Sequence, residues 1–296
     1  MPTRSSGAKD SFTRLLRSLP VPVKTALKRG APVVDPLLIA AHRARSGNRM
    51  AVPPMVFRTR IGTAWSVADY FDSGRVVADA MTGALQVHYG KTLSDFPSIL
   101  DFGAGCGRVV QFVAPAAQGS SCSACDVDEQ AVHWARDHMP HVAWQVNSFD
   151  PPLPYADASF DLVYSISIFT HIDRDSQDRW LEELHRVLRP GGMALVTVAG
   201  ETIRQQFRTG QMVSNTSDFT GAIKGSDTDE DAVAFFPYER SNWNEADFPG
   251  IGANYGMTFN DPADVAGRWS QTFDVLDQHA GAINNGQDLV VMRRRD

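Results

Sequence analysis

The sequence predicts an α/β domain on a largely parallel sheet, and three observations carry that expectation. Apolar strand-like runs alternate with amphipathic helical patterns from about residue 98 to residue 198, the pattern of strands joined by crossover helices. The first run ends in an acid and then three glycines at alternate positions, Asp101-Phe102-Gly103-Ala104-Gly105-Cys106-Gly107, where a helix opens. Charge is also divided: residues 1–60 hold twelve Lys and Arg against Asp10 and Asp35, while the remaining 236 residues hold 16 basic and 32 acidic side chains.

In chain order, residues 1–57 read as a basic helical arm and residues 58–296 as the main domain. Within the arm, Ser11–Leu19 and Val21–Lys28 read as short amphipathic helices interrupted by Pro20 and Pro22, since proline removes a donor and breaks helices. Ala51-Val52-Pro53-Pro54 reads as an extended connector. Ser73–His88 places Val76, Val77, Ala80, Met81, Ala84 and Leu85 at helical spacing, with Gly90 to end it. Strands are expected at Ser98–Phe102, Ser120–Val127, His141–Val146, Phe160–Ser167 and Met193–Val198, with helices at Arg108–Ala117, Asp128–His138 and Asp175–Leu188 between them. The turn Arg189-Pro190-Gly191-Gly192 ends the last helix. Residues 201–260 lack periodicity and read as a lid or insertion after the fifth strand. A helix near Asp261–Gln271 and an antiparallel hairpin, Thr272–Asp277 with Asp288–Arg293, complete the domain.

Composition narrows the classes. With 296 residues, 43% hydrophobic, 21% charged and a net charge of −6, the chain is an ordinary globular one rather than collagen, coiled coil or disorder. Its apolar runs fall short of the ~20 residues of a membrane span, and no secretory h-region follows the basic N-terminus, so a cytoplasmic protein is expected. Three cysteines cannot form a disulfide framework. Cys122 and Cys125, spaced for opposite faces of one strand, read as buried filler, and no metal site is expected.

Alternate glycines let a backbone turn sharply and approach a ligand closely, while the helix N-terminus offers amide donors to an anion. The spacing G-x-G-x-G departs from the dinucleotide fingerprint, because Arg108 occupies the sixth position from Gly103. The segment resembles the first motif of class I S-adenosylmethionine-dependent methyltransferases. Four further pieces strengthen the resemblance: the acid Asp126 ending Ser123-Ala124-Cys125-Asp126-Val127, the segment Gln145–Asp150, the run Pro154–Ser165 entered through Phe160-Asp161, and Leu188–Gly192. It covers residues 92–200 firmly and 270–296 loosely.

The resemblance implies a Rossmann-like seven-stranded sheet, mostly parallel with an antiparallel last strand, and S-adenosyl-L-methionine as cofactor. Carried over residue by residue, it implies a donor site of Asp101, Phe102, Gly103, Ala104, Gly105 and Gly107, with Asp126 on the ribose hydroxyls beside Val127. Asn147, Ser148 and Phe149 follow on the adenine side, and Ser165 ends the fourth strand. Asn147 stands where the family usually has Asp. Phe149 packs against adenine or is ordinary core. Asp128 is expected to cap a helix. Arg60 and Tyr70, just upstream, are placed to cover the donor's methionine end or to be solvated surface.

His171, past the fourth strand, is the candidate catalytic group: a general base oriented by Asp173 or Asp175, a structural residue, or a substrate contact. The aromatics Phe235, Phe236, Tyr238, Trp243, Phe248, Tyr255 and Phe259 form either a lid over a ring-bearing acceptor or a small core of their own. Asp227, Asp229, Glu230 and Asp231 read as a solvated loop rather than a calcium site. The expected reaction is methyl transfer to a small-molecule acceptor, at an oxygen or nitrogen of a sugar, glycan or secondary metabolite. Two alternatives stand beside it: a nucleic-acid methyltransferase using the basic arm, disfavoured by the acidic body and the missing base-flipping motif, and a non-catalytic donor-binding module. The arm either contacts phosphates, an anionic carrier or a membrane surface, or lies across the acidic body. Acceptor and oligomeric state are not legible.

Overall fold

Strand β1 (Ser98–Phe102) opens a sheet that continues through β2 (Ser121–Asp126), β3 (Ala143–Val146), β4 (Phe160–Ser165) and β5 (Leu188–Val198). A separate two-stranded sheet pairs β6 (Val233–Pro237) with β7 (Gly256–Asn260), and β8 (Phe273–Ile283) and β9 (Gln287–Arg294) then return to the main sheet. This computed structural model describes residues 21–61, 66–211, 233–238 and 254–295. The main sheet has seven strands in the order β3-β2-β1-β4-β5-β9-β8. β1 to β5 pair in parallel, and β9 runs antiparallel to both neighbours. That is the Rossmann-like architecture, with the antiparallel last strand inserted before the edge strand β8. The order reverses at β1, so the tips of β1 and β4 diverge there, where open α/β sheets bind ligands.

The burial of each strand follows from its position. β4 and β5 are buried along nearly their whole length, as strands covered on both faces must be, whereas the edge strand β3 exposes all but Trp144. Residues Arg189–Gly192, expected as a turn, lie within β5 as an irregularity. Phe160 pairs with Leu188 and Leu162 with Met193, so the extra residues bulge there, with Gly191 at φ +73°.

The long helices match their apolar periodicity. They are α3 (Val67–Tyr89), α4 (Val110–Ala116), α5 (Glu129–His138), α6 (Arg174–Val187), α7 (Glu201–Arg208) and α8 (Pro262–Trp269). α6 begins where the Asp173 side chain accepts from Ser176 N, a cap of the kind that stabilises helix starts. It then buries Trp180, Leu181, Leu184 and Val187 against β1, β4 and β5, each such side chain contributing ~1.5–3 kcal/mol. Asp128 caps α5 through Ala131 N as expected. Cys106, Cys122 and Cys125 are all buried free thiols.

The chain divides into two units, residues 1–67 and 68–296. In the first, a helix α1 spans Val21–Ser46 and a short α2 spans Met55–Arg60. The expected helix Val21–Lys28 does not stop there but runs on to Ser46, with Pro22 in its first turn, where a missing N–H costs nothing, and with Pro32 and Pro36 inside it. Ala51–Pro54 is extended. Asp35, one of the arm's two acids, accepts from Met55 N at 2.7 Å and pairs with the fully buried Arg58 at 2.6 Å. This is an internal anchor for an otherwise cationic segment. The expected helix Ser11–Leu19 lies outside the described residues. Among the described residues no helix is long and apolar enough to cross a membrane.

The segment 201–260 is not structureless throughout, as its lack of periodicity suggests. α7, β6 and β7 form a small second core from Ala199, Ile203, Phe207, Ala234 and Phe259. The acidic residues 227–231, Trp243 and Phe248 lie outside the described residues.

Candidate active site

The loop leaving β1 is held in shape by its own backbone. Gly103 N and Ala104 N donate to Cys125 O at 2.9 and 3.0 Å, tying the loop to the end of β2. Gly103, Gly105 and Gly107 take φ of +79°, +54° and +84°, a region costly to residues with a Cβ. At Gly103 a Cβ would also overlap the Ile168 side chain from the loop after β4. Behind the loop, Tyr70 of α3 is fully buried. Its hydroxyl donates to Cys106 O at 3.3 Å and accepts from Gln111 Nε2 at 3.0 Å. The structure therefore places Tyr70 as a support of the glycine loop. Arg60 belongs to the first unit, where its guanidinium lies 5.3 Å over the Phe57 ring.

Two carboxyls face this loop, Asp101 buried and Asp126 half-buried. Asp126, at the tip of β2, accepts from Gly105 N at 2.7 Å through Oδ2 and from Asp128 N at 2.8 Å through Oδ1. Burial raises its carboxyl above the ordinary range while those amides oppose the rise. Asp101 accepts from the Tyr164 hydroxyl at 2.9 Å. Burial pushes it up to about 7, against the pull of that hydroxyl and of the Arg108 charge. Arg108, which sequence reasoning used only to exclude a dinucleotide fingerprint, thus belongs to the electrostatics of the site. Phe102 turns into the core, its ring 4.5 Å from Trp180, so it can offer a ligand only backbone.

Beyond β3, Asn147 N donates to Asp126 O at 3.1 Å, and its side-chain amide donates to Ser148 O at 2.7 Å. Its Oδ1 is buried with no hydrogen-bond partner, as are Ser165 Oγ at the tip of β4 and Thr170 Oγ1 in the following loop. Buried polar atoms without partners are rare in native proteins and call for an explanation. Three of them ring the strand tips here. Phe149 is partly buried against the main core.

His171 sits in the loop that follows β4, and its neighbours come from the inserted segment. β7 is stitched to that loop by Gly256 N to His171 O at 2.7 Å, Thr258 N to Thr170 O at 2.8 Å and Thr258 Oγ1 to Ile172 O at 2.6 Å. The imidazole Nδ1 lies 2.8 Å from Gly256 O and 3.1 Å from the Tyr238 hydroxyl. A carbonyl only accepts, so Nδ1 carries the hydrogen and Nε2 presents a lone pair. The orienting group is this carbonyl rather than Asp173, which caps α6, or Asp175 in its first turn. The rings of Tyr255 and Tyr238 stand 5.1 and 5.9 Å from the imidazole. Burial lowers the His171 pKa from 6.5, keeping the ring neutral near pH 7. The Tyr255 hydroxyl is raised chiefly by burial, then by Tyr238 and by the Asp126 charge, so one ring packs beside the histidine and also feels the β2 carboxylate. The aromatics of the insertion thus divide: Phe236 and Phe259 join the small core, while Tyr238 and Tyr255 flank His171.

Residues 99–192 match a family model described as a methyltransferase domain. The malonyl-[acyl-carrier protein] O-methyltransferase of Methylococcus capsulatus is 34% identical over 112 residues, covering 37% of this chain and 40% of that protein. The ubiquinone/menaquinone biosynthesis C-methyltransferase UbiE of Rubrivivax gelatinosus is 39% identical over 100 residues, covering 33% and 37%. The chain thus spans well under half the length of these curated relatives. Among solved structures, the PH0226 protein of Pyrococcus horikoshii shares the fold with a TM-score of 0.52 at 16% identity, over 75% of this chain and 91% of that one. The segment from β1 to the start of β5 is thus similar in sequence to methyltransferase domains, and the fold is shared with the Pyrococcus protein.

Proposed function

We propose that the chain transfers a methyl group from S-adenosyl-L-methionine to a small-molecule acceptor, at an oxygen or nitrogen of a sugar, glycan or secondary metabolite. The observation that carries the donor assignment is the carboxylate of Asp126, fixed by two backbone amides at the switch point of the sheet and backed by the unpartnered Asn147 Oδ1. These residues fit the donor: Asp126 would accept from the ribose hydroxyls. Asn147 and Ser148 would read the adenine edge, with Val127 and Phe149 packing beside them. Backbone of Phe102, Gly103, Ala104, Gly105 and Gly107, with Asp101 behind it and Ser165 opposite, would line the methionine portion. When bound, the donor supplies an already activated methyl on a sulfonium, so the protein's share is alignment, exclusion of water and proton management.

That last task falls to His171. With Nδ1–H held by Gly256 O, Nε2 accepts the proton that an acceptor hydroxyl loses as an oxygen lone pair forms the new bond to carbon and the carbon–sulfur bond breaks; a neutral amine attacks through its own lone pair and gives its proton to Nε2 afterwards. Tyr238 and Tyr255 flank the imidazole and suit a ring-bearing acceptor. The experiment is calorimetric titration with S-adenosylhomocysteine and with NAD. Wild type binds the first and not the second. Asp126→Ala weakens binding about 100-fold or more, given ~1.5–3 kcal/mol for each hydrogen bond to a charged group. A wild-type protein that ignores S-adenosylhomocysteine, or an Asp126→Ala variant that binds it undiminished, overturns the reading.

A further inference from the structure

At the far edge of the sheet, beyond β5 and β9, the edge strand β8 carries Asp277 and His279 two residues apart, hence on one face. His88, in the last turn of α3, meets them there. Asp277 Oδ2 lies 3.6 Å from His88 Nδ1 and 3.5 Å from His279 Nε2, and the three ligand atoms all lie within 4.8 Å of one another. The two imidazole rings are 4.5 Å apart at 48°. We propose that His88, Asp277 and His279 form a site for a divalent transition-metal ion of the zinc type, separate from the methyl-transfer centre.

Three features support a ligand rather than a chance cluster. The first is spacing: ligands at ~2.0–2.1 Å from a tetrahedral zinc ion stand about 3.4 Å apart, close to both measured carboxylate–imidazole separations. The second is that His279 Nε2 is buried and has no hydrogen-bond partner, although a buried ring nitrogen ordinarily has one. The third is that Asp277 Oδ1 is occupied by Gln278 N at 2.8 Å, which turns Oδ2 toward the two histidines, the kind of support that orients a metal-binding carboxylate. The donor set decides the class of ion. Two imidazoles and one carboxylate suit zinc or its neighbours, whereas magnesium and calcium prefer oxygen alone.

Beside the histidines lies a hollow of about 280 Å³, lined in part by Ala80, Gly83, Ala84 and Ala282. These small side chains leave room for water at the fourth coordination position. Bound metal would fasten the end of α3 to β8, joining elements whose ligands are far apart in sequence and therefore invisible to motif spacing.

The test uses untagged full-length protein stripped with chelator and titrated with Zn²⁺ and, for its visible spectrum, Co²⁺. The expected result is one bound equivalent per chain, a rise in melting temperature with Zn²⁺, and Co²⁺ absorption that disappears in His88→Gln and His279→Gln but persists in His133→Gln, an exposed histidine elsewhere. His88 is 40% exposed, so its replacement leaves folding intact, and the melting curve of the metal-free variant checks this. Wild-type protein that takes up no stoichiometric metal, or variants that bind as wild type does, overturns the site. Donor binding is unaffected in either case, so this proposal and the methyltransferase reading fail separately.

Discussion

The two halves of the proposed active site are built by different means. On the donor side, a contiguous stretch from Asp101 to Phe149 supplies nearly everything, mostly as backbone: a glycine loop pinned to Cys125 O, one carboxylate fixed by two amides, and an asparagine beside it. On the acceptor side, His171 is oriented by Gly256 and flanked by Tyr238 and Tyr255, which lie 67 to 85 residues further along. Backbone recognition constrains residue type tightly, because only glycine adopts those angles cheaply. Side-chain recognition constrains only the final geometry, and many sequences can reach it. A shared donor can therefore persist while the acceptor surface varies.

The largest expected effect tests that division directly. His171→Ala removes the group proposed to take the acceptor's proton, and turnover is expected to fall ~10²–10⁴-fold, while S-adenosylhomocysteine affinity stays as in wild type. The pH profile gives the sign. Because burial lowers the His171 pKa below 6.5, the ring is neutral at pH 7 and becomes protonated only in more acid solution, so kcat/KM declines below pH 6.5 along a limb that vanishes in His171→Ala. The same shift makes stability rise with pH as the unfolded histidine, at about 6.5, loses its proton. If turnover persists in His171→Ala, the acceptor needs no base and His171 is a positioning residue.

A smaller effect is expected where the donor half resists change. Gly103→Ala puts a Cβ at φ +79° and against Ile168. The left-handed strain alone costs ~1–2 kcal/mol, and a denaturant midpoint measures it. Ile168→Ala in the same chain relieves the overlap but not the strain, so recovery is partial. Complete recovery would mean that packing, rather than backbone angle, selects this glycine.

That asymmetry also explains what could be read from the sequence. The strand positions, the glycine loop and the Asp128 cap were legible because each depends on local spacing and residue type, while the strand order came with the family resemblance. The reach of α1 past Lys28 was not, because Pro32 and Pro36, inside the helix, carry the same letter as a proline that ends one. Gly256 as the partner of His171 was hidden for a different reason. Its contribution is a carbonyl that every residue possesses, delivered by β7 through strand-like pairing with Thr170 and Ile172. The density of aromatics in 201–260 was the available signal, and it named Tyr238 and Tyr255 without separating them from Phe236 and Phe259, which serve the small core.

Tyr238 offers the finest measure of the acceptor half. Its hydroxyl lies 3.1 Å from His171 Nδ1, the nitrogen that already donates to Gly256 O, so it can only share that hydrogen as a second acceptor. The stronger carbonyl contact at 2.8 Å remains in Tyr238→Phe, and the ring that flanks the imidazole remains too. A net hydrogen bond contributes ~0.5–1.5 kcal/mol, which sets the expected loss in kcat/KM at roughly 2–10-fold. The stabilising pull of the hydroxyl on protonated His171 also goes, so the acid limb moves slightly further down in pH. A loss as large as that of His171→Ala would mean instead that Tyr238 itself handles the acceptor proton, and would move the catalytic centre from the loop after β4 into the insertion.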